Sequence, residues 1–144
     1  MIVLGFTGTR NGMTDAQKGE VTRQLQRIQP DEVVHGDCVG ADDDFDWICE
    51  QLGIPGDHRH IRPCTFENMR ARCDERRGAK VVAEPKPPMQ RNRDIVADAD
   101  VILATPPNDV PIRRGSGTWA TIKFGQRKGI EVVVVAPDGT VVSP

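Results

Sequence analysis

The sequence predicts an α/β fold: a mainly parallel sheet of about five short strands with helices on both faces. Three observations carry that expectation. Apolar runs of four or five residues alternate with segments whose apolar residues recur at helical spacing. The runs are nearly continuous rather than alternating, which suits strands covered on both sides. Glycine-rich turns follow them, as connections at a sheet edge require.

Residues 2–6 form the first run, ended by the turn-rich Gly-Thr-Arg-Asn-Gly. Thr14 and Asp15 cap a helix whose Val21, Leu25 and Ile28 fall on one face, and Pro30 stops it. Residues 32–35 are a second strand. Asp42, Asp43 and Asp44 then sit in a first helical turn, where the dipole favours acids, ahead of Phe45, Ile48, Cys49 and Leu52. Gly53 closes that helix, with Pro55 beyond it. Residues 57–61 are a weaker third strand, and Phe66, Met69 and Cys73 suggest a short helix. The proline-rich stretch 79–88 is expected to be an irregular connection. Pro88 starts a helix running through about Ala97. Residues 101–104 are a strand, 106–114 a loop, 116–128 a helix ended by Gly129, and 131–135 the last central strand. Asp138-Gly139 is a turn signal, so residues 140–142 add a short edge strand. There is no internal repeat, low-complexity tract or domain boundary, and residues 1–144 are expected to form one domain.

Composition excludes several classes. The net charge of −2 argues against a basic polyanion-binding module. No stretch approaches the roughly 20 consecutive apolar residues of a membrane span. The N-terminus lacks a basic region before its apolar run, so a cytoplasmic protein with no membrane partner is expected. Cys38, Cys49, Cys64 and Cys73 include no C-x-x-C pair, which suits reduced, idle thiols. His58, His60, Cys64 and Cys73 fit no usual zinc spacing. The acidic run 42–46 lacks the glycine of a calcium loop. No metal site is expected from these patterns. Arg70, Arg72, Arg76, Arg77, Lys80, Lys86, Arg91 and Arg93 cluster in one stretch. They form either a solvated face or a positive field beside an anionic ligand.

Right-handed crossovers would gather the loops after the strands at one sheet edge, where open α/β sheets bind ligands. The first loop carries Gly8, Thr9 and Arg10. It is neither G-x-G-x-x-G nor a P-loop, but its glycine lets backbone N–H groups approach an anion and its arginine adds a bidentate charge. The second loop carries Gly36, Asp37, Gly40 and Asp42. Its two carboxylates suit ribose hydroxyls, a Mg²⁺ ion or a helix cap. Asn92 shares a helical face with Met89 and Val96, so Asn92 and Arg93 are candidates for bracing the loops or touching the ligand. Arg114, Gly115, Ser116, Gly117 and Thr118 precede the last helix. Glycines there expose the unpaired N–H groups and positive end of that helix, and Ser116 or Thr118 either caps it or donates to a phosphate oxygen.

In their order, Gly8-Thr9-Arg10, His35-Gly36 with Gly40-Ala41-Asp42, Arg91-Asn92-Arg93 with Ala99-Asp100, and Gly115-Ser116-Gly117-Thr118 resemble the SLOG superfamily. That group includes the DNA-processing Smf proteins and the Lonely Guy phosphoribohydrolases, and the nearest branch is the small single-domain proteins of bacteria and phages. The resemblance covers nearly the whole chain. It implies a Rossmann-like, doubly wound fold that binds nucleotides or nucleotide-derived molecules, often as a homodimer or higher homo-oligomer. The hydrolase branch carries G-T-x-x-E, whose Glu is catalytic. Here Gly117-Thr118-Trp119-Ala120 is followed by Thr121, which has no carboxylate to act as a base.

Three functions follow in order. The first is binding of a nucleotide-like small molecule on the glycine loops. The second is an N-glycosidase acting on nucleoside monophosphates with a relocated acid, Asp37 or Asp42. The third is single-stranded DNA binding through the basic stretch, which the absence of tyrosine disfavours. Trp119 is placed to pack in the core or to stack on a base. The ligand, any catalytic residue and any cofactor beyond a possible Mg²⁺ stay open at this stage.

Overall fold

Strand β1 (Val3–Gly8) lies at the centre of the sheet, between β2 (Glu32–His35) and β5 (Val101–Thr105). The computed structural model describes residues 1–108 and 117–142. Outward on one side follow β3 (Arg59–Ile61) and β4 (Lys80–Val81); on the other follow β6 (Glu131–Val135) and β7 (Val141–Val142). The order is β4-β3-β2-β1-β5-β6-β7, parallel throughout except for the antiparallel β7. The α/β class and parallel arrangement are those expected. The strand number is larger, because the sheet is extended by two-residue strands at both edges. Residues 80–81 lie in the stretch expected to be irregular, where pairing with His60 and Ile61 recruits them to the edge.

Helices α1 (Asp15–Ile28) and α2 (Ala41–Gln51) cover one face, and α4 (Pro88–Asp98) and α5 (Gly117–Lys128) the other. The faces follow from the period-2 alternation of side chains along the central strands. Leu4, Phe6, Val33, Leu103, Val133 and Val135 pack with Val21, Leu25, Phe45 and Ile48. Phe6 and Phe45 stack with ring centroids 4.2 Å apart. The intervening Val34 and Ile102 meet Ile95, Val96 and Ala99, while Ala104 and Val134 meet Trp119 and Ile122. Trp119 therefore packs in the core, and its indole N–H donates to Asn108 Oδ1 at 2.8 Å. The short helix expected around residues 66–73 is confined to α3 (Cys73–Arg77), preceded by a single 3₁₀ turn at Glu67–Met69.

Local chemistry sets the helix starts. Thr14 and Gln17 form a reciprocal capping box, each side chain accepting the other's backbone N–H at 3.0 Å. The Gln17 amide then donates to the carbonyls of Pro106 and Val135, fastening α1 to the ends of β5 and β6. Pro88 occupies the first turn of α4, as its fixed φ predicts. Each helix after a strand runs back antiparallel to the sheet, so α2, α4 and α5 all begin at the edge where the strands end.

Candidate functional site

The chain adds β2, β3 and β4 on one side of β1, then crosses to β5 on the other. The strand order thus reverses between β1 and β5, whose last residues, Gly8 and Thr105, are paired. Such a reversal leaves a crevice beyond the strand ends. The crevice here is an open cleft of about 730 Å³. A Cβ on Gly8 would run into the Ala41 methyl and the Thr105 hydroxyl, so only glycine lets the ends of β1 and β5 and the start of α2 approach this closely.

From the first loop, Gly8, Thr9 and Arg10 line the cleft. Gly36 and Asp42 come from the loop after β2 and the first turn of α2. Asn92 comes from α4, and Gly117 and Thr118 from the start of α5. These residues, singled out from the sequence, meet in one hollow. Arg114, Gly115 and Ser116 lie outside the described residues.

Three others do not reach it. The Asp37 carboxylate is buried and accepts from Arg70 Nε at 2.8 Å and from the Cys73 amide at 2.9 Å. It braces α3. Gly40 has φ +95° and ψ −125°, and a Cβ there would meet the Arg10 carbonyl, so it shapes the two loops from behind. Arg93 points to the far side of α4, with its guanidinium 5.0 Å from the Phe124 ring centroid. It does not act with Asn92, because its guanidinium is turned to the Phe124 side of the helix.

Arg91 takes the place expected of Arg93. Its Nε donates to Asn92 Oδ1 at 2.8 Å and its Nη1 to the Gly36 carbonyl at 2.7 Å, which ties α4 to the loop after β2. The signal was in the sequence: Ile95, four residues on and buried, puts Arg91 on the inward face. Phe66, Met69, Pro88 and Met89 were also not expected in the cleft, and they line it.

The basic stretch resolves into pairs. Arg70 bonds Asp37 and Asp74; Arg72 pairs with Glu67 and Glu75. Arg76 and Arg77 both hold Asp43, and Arg77 also reaches Asp46 at 2.9 Å. Lys86 pairs with Asp94 at 3.0 Å. By contrast, Arg10 and Arg91 form no ion pair with a carboxylate among the described residues. Among the described residues, Arg10 Nη1 rests against the Met69 thioether, at 3.6 Å.

Asp42 is the one carboxylate lining the cleft among the described residues. Burial pushes its carboxyl above the ordinary range and Asp37 adds to this; the Arg91 charge and the Cys38 amide, 3.1 Å from Oδ2, offset it in part. Arg10 and Arg91 share the cleft with it. Burial likewise lifts the Cys38 thiol to about 12, so no thiolate nucleophile forms there near neutral pH. Thr121 is buried, and its hydroxyl donates to the Gly117 carbonyl at 2.8 Å.

His35, Asp46 and Cys73 lie close together beneath the sheet end. His35 Nδ1 accepts the Asp37 amide N–H at 3.0 Å, which leaves the proton on Nε2 to donate to Asp46 at 2.9 Å. Arg59 and Arg77 take the remaining positions around Asp46. The set is filled by protons and guanidinium groups, the wiring of an ion-pair network rather than a metal centre. His58 and His60 are directed elsewhere, to the carbonyls of Asp31 and Asp57.

No family model matches the chain, and no curated protein matches it. Two solved structures are similar. The molybdenum cofactor binding protein from the phototrophic bacterium Rippkaea orientalis superposes with a TM-score of 0.66 at 12% identity, covering 92% of this chain and 75% of its own. The structural-genomics target TM1055 superposes with a TM-score of 0.62 at 15% identity, covering 92% and 72%. At these identities the likeness establishes the Rossmann-like fold. Among the described residues no helix is long and apolar enough to cross a membrane.

Proposed function

We propose that the cleft binds a phosphate-bearing small molecule of the nucleotide class, with the phosphate between the start of α5 and the loop after β1. The observation that carries this reading is the pair of cleft arginines without carboxylate partners in a fold that neutralises most of its other arginines. The start of α5 at Gly117 and Thr118 adds the positive end of a helix, where the macrodipole favours negative charge. Asn92 and Thr118 are buried polar residues that line the same wall. A dianionic phosphate fits that combination, with Arg10 free to close on it as a bidentate donor.

The test is native mass spectrometry of the purified protein, followed by calorimetric titration with adenosine monophosphate and adenosine. Binding of the monophosphate and failure of the nucleoside is the expected result. Equal affinity for the two would remove the phosphate from the account.

A second reading, N-glycoside hydrolysis, is favoured by Asp42. A carboxyl raised by burial and lining a cleft is the form that general acid catalysis uses. Release of free base from nucleoside monophosphates over hours at high protein concentration would support it. Its absence would leave a binding protein.

A further inference from the structure

Resting on the phosphate reading, we infer a second subsite in the same cleft: an apolar slot at Phe66, Met69 and Met89 that stacks a nucleobase without reading its identity. The ligand is then selected by its phosphate and sugar, and purines and pyrimidines are taken alike.

The slot is built, not incidental. Cys64 forms a parallel bridge with Lys86; the Thr65 N–H donates to the Lys86 carbonyl at 3.1 Å and the Lys86 N–H to that of Pro63 at 3.2 Å. These bonds hold residues 63–66 against the start of α4, whose Pro88 and Met89 stand on the cleft wall. The following turn is fixed at its other end, where the Val39 N–H donates to the Met69 carbonyl at 2.9 Å. Phe66 and Met89 are 53% and 45% exposed, a large apolar surface to leave beside Arg10.

The chemistry of the slot decides what it recognises. An aromatic ring and two thioethers attract any flat π-system and offer no donor or acceptor pattern for a base edge. Arg10, leaning on Met69, borders the slot and adds a cation above a stacked ring. Glu67, the polar neighbour on the same turn, is occupied by Arg72 at 3.2 Å. Arg10 therefore joins the two subsites: the same side chain lies within reach of a phosphate at the glycine loop and of a ring at Met69.

The experiment is calorimetric titration of wild type and Phe66→Ala with adenosine, guanosine and uridine monophosphates and with ribose 5-phosphate. In wild type the three nucleotides should bind within about threefold of one another. Ribose 5-phosphate should bind about tenfold more weakly, the usual worth of one base–aromatic stack. Phe66→Ala should weaken the nucleotides about tenfold and leave ribose 5-phosphate unchanged, with unaltered thermal unfolding because Phe66 is half exposed. Three results overturn the slot while sparing the phosphate reading: ribose 5-phosphate binding as tightly as the nucleotides, one base preferred by more than thirtyfold, or Phe66→Ala leaving the nucleotides unaffected or weakening all four ligands alike. If none of the four binds wild type, the phosphate reading falls and the slot falls with it.

Discussion

Replacing Gly117 with valine separates the binding role of the α5 start from its structural role. Gly117 opens α5, and its φ is not positive, so a side chain is sterically compatible with the backbone. Among the described residues, the nearest atom to a Cβ there is Asn92 Nδ2 at 3.5 Å, an ordinary contact. Valine is also a better helix former than glycine by a few tenths of a kcal/mol. The fold should therefore survive, with an unfolding temperature within about 2 °C of wild type. The two methyl groups would stand beside Asn92, in front of the first-turn N–H groups that a phosphate would use. A hydrogen bond to a charged group contributes about 1.5–3 kcal/mol, so displacing a phosphate from two such donors costs about 3–6 kcal/mol. That is a loss of more than a hundredfold in affinity for adenosine monophosphate. Calorimetric titration, with circular dichroism to follow unfolding, reads both quantities. Unchanged affinity in a folded variant would take the α5 start out of the site; a collapse in stability would make Gly117 structural.

Further outcomes follow from the same geometry. Arg10→Gln should weaken nucleotide binding about tenfold and flatten its dependence on salt. Stability should change little, since among the described residues its side chain bonds Met69 sulfur and no carboxylate, and undiminished affinity would remove Arg10 from the phosphate. Gly40→Ala forces a Cβ into the left-handed half of φ space against the Arg10 carbonyl, and should lower the unfolding free energy in urea by about 2 kcal/mol or more. A neutral substitution would mean that the two loops shift easily. Burial alone would raise the Asp46 carboxyl, but hydrogen bonds from His35 and Arg77 and the charge of Arg59 hold it at about 2. A carboxyl depressed on folding stabilises the protein above its ordinary value of 3.8, and this contribution, about 2 kcal/mol, is lost as pH falls from about 4 to about 2. Urea midpoints measured across that range should decline; a flat profile would mean that the network contributes nothing.

The central strands were legible because their apolar runs are long for strands and bounded by turn residues. The edge strand β7 was announced by the Asp138-Gly139 turn, but β4 was not, because Lys80 and Val81 carry no periodic signal and are recruited only by a neighbour already in place. The glycine loops were legible as a group because crossover handedness sends them all to one edge. Which side chains of those loops face the cleft was harder to see. Asp37 and Asp42 look equivalent in the sequence, yet Asp37 sits at φ +57° and turns its carboxylate inward to Arg70 and the Cys73 amide. Helical phase told Asn92 apart from surface positions but was not carried one residue back to Arg91. The apolar rim at Phe66 and Met89 came from a long-range bridge between Cys64 and Lys86, which no local pattern announces.

The buried network explains why so many basic residues leave so small a positive site. Asp37, Asp43 and Asp46 lie where the loop after β2 passes into α2, and each is met by arginines from α3 or the residues around it. A buried carboxylate without a partner is strongly destabilising, so these arginines are committed to holding the loop and are not available to an outside phosphate. The commitment fixes the backbone at Asp37, a non-glycine residue in the left-handed region, through bonds to its amide, carbonyl and carboxylate at once. With that residue locked, Gly36 presents its carbonyl to Arg91 and Asp42 keeps its place in the cleft. The basic stretch therefore acts on the site indirectly, as its frame. A strip of arginines paired with carboxylates offers little to the backbone of a nucleic acid, whereas two cleft arginines with no carboxylate partner among the described residues suit a compact anion.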